Sequence, residues 1–296
     1  MNNLTLKAEG LNKSYGSNHV LRDLDVELLP GKIYGLIGRN GSGKTTLLGC
    51  LTGQNTFQSG TVTCGGEKVW ENRRALEQIC FSRELPDTVM GSRNGQKIRH
   101  YLEAGATFFP HWDREYAKAL MAEFGLDEKK KIYALSRGQR SMVTILIALA
   151  SRAPITILDE PVAGLDVVMR EHFYRLLLEE FGRSERTFVV STHIIEEAAS
   201  VFEEVLFLDG GKIVEHAPVD ELVDQFRYVS GLAEEVDRAC AGLTVVSRQD
   251  LGRRRTATVR GGEEELEKLS AFDVDVAPLN LQNVFVALCG QEHPQP

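Results

Sequence analysis

Residues 38–45 read GRNGSGKT, and the reading of the whole chain turns on them. The stretch fits G-x-x-x-x-G-K-[ST] at Gly38, Gly43, Lys44 and Thr45. Glycines let a backbone curl until its N–H groups surround a phosphate group. The candidate contacts run through Asn40, Gly41 and Ser42 to Thr46. In this pattern the lysine supplies a point charge to the β- and γ-phosphates, and the hydroxyl of Thr45 serves Mg²⁺. The loop needs a strand before it and a helix after it. Ile33, Tyr34, Leu36 and Ile37 predict a strand buried on both faces, and Lys44 to Leu51 continues as a helix.

Further along, ITILDEP at 155–161 predicts a buried strand that ends in two carboxylates. Asp159 would lie at the carboxyl edge of the sheet, where α/β folds bind ligands, and can hold the Mg²⁺ shell. Glu160 can orient and deprotonate an attacking water. STH at 191–193 ends the next strand. That strand should neighbour ITILD, which would bring His193 to the γ-phosphate as a hydrogen-bond donor. A structural or surface histidine is the alternative.

A second phosphate-shaped element stands far from the first. LSRGQRS at 135–141 opens onto the apolar run MVTILIALA. Ser136, Gly138 and Gln139 stand where a helix should begin, and helix starts carry unpaired N–H groups that suit anions.

Around these motifs the chain alternates strand and helix, as a parallel α/β sheet requires. Leu4, Leu6 and Ala8, then Leu24, Val26 and Leu28, predict an antiparallel pair. Between about 86 and 150 lies a helical insertion. Its helices are expected around Gly95 to Leu102 and Arg114 to Phe124, with the aromatic loop ATFFPHW between them, and it ends in the helix after Gly138. A helix is predicted from Ile194 to Phe202, and a hairpin around Asp209-Gly210-Gly211. Beyond residue 216 the texture becomes more polar. Helices are expected at Val219 to Tyr228, Glu263 to Leu269 and Leu281 to Leu288, with strands near 243–247, 255–260 and 273–277. The last residues, Gln291 to Pro296, are expected to be disordered.

Bulk properties narrow the classes. The 296 residues are 43% apolar and carry a net charge of −8. That balance argues against nucleic acid as a partner, and the basic runs Lys129 to Lys131 and Arg253 to Arg255 are read as solvated surface. No apolar stretch approaches the length of a membrane span, and the N-terminus has no signal pattern. Five scattered cysteines without a CxxC pair suggest reduced thiols in a cytoplasmic protein.

The order of motifs (phosphate loop, helical insertion, LSRGQ, LDE, AGLD, TH) resembles the nucleotide-binding domain of ATP-binding-cassette (ABC) proteins over about residues 1–215. In that resemblance LSRGQ is the signature loop, and Ala163-Gly164-Leu165-Asp166 is the D-loop. Tyr15 matches the aromatic that stacks on adenine. The implied fold is an α/β P-loop NTPase of ABC type: a mixed sheet core, an antiparallel β subdomain and a helical insertion. A small C-terminal α+β appendage over 217–296 would follow the domain at 1–216. The implied activity is ATP hydrolysis with Mg²⁺. The implied partners are a second ABC ATPase chain, whose signature loop caps the γ-phosphate held by this chain's phosphate loop, and a separate membrane permease docked on the insertion. Ser136, Gly138, Gln139 and Asp166 would then touch the partner's nucleotide. The chain would sit on the cytoplasmic face of the membrane through that permease.

Two positions depart from the family pattern. A glutamine usually stands before the insertion; here the place reads ICFSRELP, and Glu84 is the nearest analogue, a further candidate for Mg²⁺. Val167 replaces a common proline. The insertion is most similar to those of ABC-2 exporter ATPases, including ones from bacterial antibiotic-resistance operons. His111 and Trp112 would lie on the permease surface, or Trp112 in the core. An importer ATPase is the nearest alternative. A soluble ABC ATPase acting on nucleic acid or ribosomes, or a degenerate regulator, is a weaker one.

Overall fold

A computed structural model describes residues 4–89 and 91–290, so the expectation for the tail at 291–296 lies outside the described residues. At the centre is a six-stranded sheet. Its order is Lys212–Pro218, Glu204–Asp209, Ile33–Ile37, Thr187–Thr192, Ile155–Asp159, Ile79–Ser82. Every neighbour pair is parallel except the hairpin that joins the first two strands. The three central strands, IYGLI, TFVVST and ITILD, are buried at every position. Only a sheet covered on both faces buries every residue of its strands.

The two faces hold different cores, because side chains alternate along each strand. One face sets Tyr34, Leu36, Ile157 and Val189 against the helix Lys44–Leu51 and a four-stranded antiparallel sheet. That sheet pairs Leu6–Tyr15 with Asn18–Leu28 and Ser59–Cys64. The other face sets Ile33, Leu158, Phe188 and Val190 against the long helices Arg137–Ala150 and Val167–Arg183. The insertion contributes the helices Ile98–Phe108 and Arg114–Glu123. The first of these runs on into the stretch expected to be an aromatic loop. Trp112 is half-buried and lies so close to Gly105 that a Cβ there would stand 2.6 Å from its ring. His111 is exposed.

The C-terminal segment forms its own antiparallel sheet, in the order Thr244–Leu251, Arg254–Arg260, Phe226–Leu232, Val274–Pro278. Val229, Val236, Ala257, Val259 and Leu266 make its core. The expected helix Val219 to Tyr228 stops at Asp224, and Phe226–Leu232 is the central strand. It pairs on both sides, and this pairing overrides the local helical spacing of Val219, Leu222, Val223 and Phe226. The boundary expected at 216/217 falls inside the strand Lys212–Pro218. The last described helix, Leu281–Cys289, turns back and buries Leu281, Val284 and Cys289 in the core of the first domain. Of the basic run 253–255, Arg254 pairs with Asp275, and Arg255 with Asp237 and Asp250. All five cysteines are free and buried. No helix among the described residues is long and apolar enough to cross a membrane.

Candidate functional site

The phosphate loop bridges the strand Ile33–Ile37 and the helix Lys44–Leu51, as its pattern requires. Gly43 has φ +107, a region closed to most side chains. At Gly38 the limit is space: a Cβ would stand 2.5 Å from Ser42 Oγ and 2.6 Å from the Leu208 carbonyl. Within the described chain the amides of Gly41, Gly43, Lys44 and Thr45 donate to no acceptor. Ser42 Oγ is buried without a hydrogen-bond partner. Such a ring of unspent donors at a helix start is built for an anion. Lys44 Nζ is tied back to the Gly38 carbonyl at 2.7 Å, which pins the ammonium inside the loop. Thr46 lies half-buried in the first helical turn, while Arg39, Asn40, Gly41 and Thr45 are exposed.

The strand Ile155–Asp159 delivers both acidic residues, and its neighbour Thr187–Thr192 brings Ser191 and leads into His193. Asp159 and Ser191 are register partners at the strand ends. Thr45 Oγ1 donates to Asp159 Oδ2 at 2.7 Å, and the Ser191 hydroxyl donates to the other carboxylate oxygen. The Thr45–Asp159 pair offers hard oxygen donors beside the phosphate loop. That fits Mg²⁺, which takes one or two protein ligands and completes its shell with water and phosphate. Among the described residues no group of three or more His, Cys, Asp or Glu could hold a metal on its own.

Glu160 follows with φ +49, a conformation that costs a non-glycine residue about 1–3 kcal/mol. Its amide is anchored by the carbonyl and hydroxyl of Ser191, at 3.1 and 3.2 Å. The turn aims its carboxylate at two partners. His193 Nδ1 lies 2.7 Å from Oε2, and Lys44 Nζ lies 3.6 Å from Oε1. The structure therefore brings together Lys44, Thr45, Asp159, Glu160 and His193. Sequence reasoning passed over Ser191 as a partner, although its hydroxyl sits in the quoted STH.

Tyr15 is 52% exposed, with Lys13 Nζ 4.5 Å from its ring centroid. Lys13 holds that face of the ring by a cation–π contact.

The signature segment is built as a capped helix start. Ser136 Oγ accepts from the Gln139 amide at 3.1 Å, and Gln139 Oε1 accepts from the Ser136 amide at 3.2 Å. This reciprocal cap leaves the amides of Arg137 and Gly138 without an acceptor in the described chain. Gly138 packs on the D-loop: a Cβ would stand 2.6 Å from the Gly164 carbonyl. Ser141 donates to the Ala163 carbonyl at 2.6 Å. Asp166 caps the next helix through the Met169 amide, at 2.9 Å. Among the described residues, no hydrogen bond or ion pair joins Leu135–Gln139 to the phosphate loop.

Glu84, expected as a candidate for Mg²⁺, has a partner that the sequence did not suggest. Arg137 engages both of its carboxylate oxygens, at 2.9 and 3.2 Å. No hydrogen bond joins Glu84 to Thr45 or Asp159 among the described residues. Spacing alone gives no sign of this pair, which joins residues 53 positions apart.

Comparison with known proteins meets this geometry. The sequence profile described as "ABC transporter" matches residues 21–163. The L-cystine import ATP-binding protein TcyC of Bacillus subtilis is 30% identical over 242 residues, covering 73% of this chain and 92% of that protein. The chain belongs to the ABC transporter ATPase family. Other members extend the likeness. The ABC transporter ATP-binding protein YtrB of B. subtilis is 25% identical over 285 residues, 95% of this chain and 96% of its own. The aliphatic sulfonates import ATP-binding protein SsuB of Rhodopseudomonas palustris is 31% identical over 226 residues, 73% of this chain and 75% of its own. Among solved structures, an ABC transporter ATP-binding subunit superposes with a TM-score of 0.65 at 23% identity. It covers 74% of this chain and 92% of that one. A dimeric bacterial ABC cassette superposes at 0.62 and 21%, covering 72% and 98%. These likenesses establish the cassette fold. As an ABC ATPase the chain binds and hydrolyses ATP, and the family uses Mg²⁺ with it.

Proposed function

We propose that this cassette is the ATP-hydrolysing subunit of a membrane exporter and works as a head-to-tail dimer. One observation carries the dimer: the capped, anion-ready start at Ser136 is built like a nucleotide contact, yet nothing bonds it to the phosphate loop of its own chain. Two chains related by a two-fold axis close that contact twice with one surface. Val167 and Val168 support the reading. They follow the D-loop and are 67% and 73% exposed, an apolar pair that a second chain would cover. In the dimer, Ser136, Gly138, Gln139 and Asp166 serve the partner's ATP.

Within each site the roles divide by chemistry. The loop amides, Ser42 and Lys44 hold the phosphates, and Tyr15 stacks the adenine. Thr45 and Asp159 hold Mg²⁺, which neutralises phosphate charge. Glu160 takes the proton of the attacking water, and His193, bonded to Glu160, orients that carboxylate and reaches for the γ-phosphate. All these groups lie between Tyr15 and His193, and the chain beyond the strand Lys212–Pro218 forms an accessory α+β domain.

A separate permease would dock on the insertion, where Phe108 is 74% exposed and lies near the exposed His111. That partner would hold the chain at the cytoplasmic face of the membrane. The similarity of the insertion to ABC-2 exporter ATPases supports export. A second reading, import, is favoured by the relatives named for import of sulfonates and L-cystine. Cells lacking the chain separate the two. Loss of an exporter subunit leaves small molecules retained inside, whereas loss of an importer subunit leaves them depleted inside and unused in the medium. Depletion without retention would overturn export.

A further inference from the structure

Residues 193–201 carry little regular structure of their own. After His193 comes a helix of four residues, Ile195–Ala198, and one 3₁₀ turn, Ala199–Val201. A helix that short cannot hold itself; it is fixed by what it packs against. Ile195 and Ala198 are buried in the same core cluster as Leu281 and Val284 of the C-terminal helix. Gln282 Nε2 donates to Glu196 Oε1 at 3.2 Å. On the opposite flank Arg170 bonds Glu197 at 3.1 Å and the Leu165 carbonyl of the D-loop at 3.0 Å. The short helix is thus clamped between the D-loop helix and a helix from the far end of the chain.

That far helix also reaches the phosphate loop. Phe285 packs edge-on against Phe207, with ring centroids 5.2 Å apart. It forms one wall of a cleft whose other walls are Ile37, Gly38, Arg39, Asn40, His193 and Ile195. We infer that the helix Leu281–Cys289 is a positioning element of the hydrolysis site. Through Gln282 and Phe285 it sets the place of the 193–198 segment, and so the contact of His193 with Glu160. The last helix of the C-terminal domain then belongs to the working unit of the cassette. Gln282 and Phe285 are positioning residues; neither touches the reacting atoms.

The inference rests on the reading that His193 acts in hydrolysis, and the test keeps the two apart. Gln282→Glu sets a second carboxylate against Glu196, and Phe285→Ala removes the cleft wall. Both are made in the full-length chain, alone and with His193→Ala, and compared by ATP turnover, by affinity for a fluorescent ATP analogue and by thermal melting. A shift of about 1 Å at a distance from the chemistry can cost on the order of 10²-fold in rate. Turnover in each single variant is therefore expected to fall by about tenfold or more, with analogue affinity within about threefold. In the His193→Ala background neither substitution should lower turnover further, because the residue being positioned is gone. Full turnover in His193→Ala would overturn the role of His193 and the inference with it. If His193→Ala is impaired, the inference alone fails on any of three results: single variants with normal turnover, a loss that repeats in the His193→Ala background, or a loss that follows melting temperature. Should Phe285→Ala not fold, Gln282→Glu at the surface decides the matter by the same criteria.

Discussion

Arg137 of the signature loop holds both carboxylate oxygens of Glu84, at 2.9 and 3.2 Å. The nearest analogue of the family's usual glutamine is therefore tied to the loop proposed to serve a partner's nucleotide. Burial of one charge does not drive the pairing, since the side chains are 41% and 58% exposed. An exposed pair of this kind adds at most about 1 kcal/mol. It does orient Arg137, whose stem lies against Gly164 of the D-loop. Glu84, the neighbouring Glu160 charge and the bidentate geometry together keep the Arg137 guanidinium firmly protonated, with the hydrogen bond to Glu84 the largest influence.

Glu84→Gln should leave the Mg²⁺ concentration for half-maximal turnover within about threefold of wild type, and melting within about 1 kcal/mol. Glu84→Gln and Arg137→Ala should also be non-additive in turnover, as bonded partners are. A Mg²⁺ requirement raised tenfold or more would instead put Glu84 on the metal.

Glu160→Gln keeps the shape of the turn and removes the base. ATP binding should persist while turnover drops by roughly 10² to 10⁴, the usual worth of a general base. With the negative charge gone, an ATP-held dimer should accumulate on size-exclusion chromatography. Unchanged turnover would remove Glu160 from the chemistry.

How far this was legible depends on whether a role is local. Gly38, Gly43, Lys44 and Thr45 carry their meaning in their spacing, because one loop between one strand and one helix builds the cradle. Asp159, Glu160 and His193 could be placed because buried strands are easy to read and parallel sheets present their ends together. The Ser191 hydroxyl could not, since its bond to Asp159 comes from a register between strands. Nor could the φ of +49 at Glu160, which no residue preference suggests. The same limit explains Phe226–Leu232. Its neighbours spell a helix locally, and only pairing with strands at 254–260 and 274–278 makes it a strand. The Gln282–Glu196 contact joins residues 86 positions apart, beyond the reach of any motif.

Asp113 offers a test of the insertion's stability. It caps the helix Arg114–Glu123 through the Tyr116 amide at 2.9 Å and pairs with Arg152 at 3.0 Å. The hydrogen bond from the Tyr116 amide, opposed by burial and helped by Arg152, holds its carboxyl below the usual carboxylate range. A carboxyl whose folded pKa is depressed contributes stability above its unfolded pKa and loses it as pH falls through the folded one. Asp113→Ala should thus cost about 1 kcal/mol at neutral pH, the usual worth of a cap, and less in acid. Urea melts at pH 7 and near pH 3 would check it. An equal cost at both would show that the charge contributes nothing.

The shared site can be tested by mixing defects. Lys44→Ala breaks the phosphate loop and leaves the signature intact. Ser136→Arg breaks the signature and leaves the loop intact. Either homodimer should fail, because every composite site then holds one broken part. In a mixed dimer both defects fall on the same site. The other site pairs the second chain's intact loop with the first chain's intact signature. Sites built within one chain would leave the mixed dimer with none. Occlusion of nucleotide in a single turnover is the right measurement, since steady hydrolysis can need both sites at once. Purified mixed dimers should occlude about one nucleotide per dimer where each homodimer occludes almost none, half the count for two intact sites. Occlusion no greater than in the homodimers would return the Ser136 loop to its own chain.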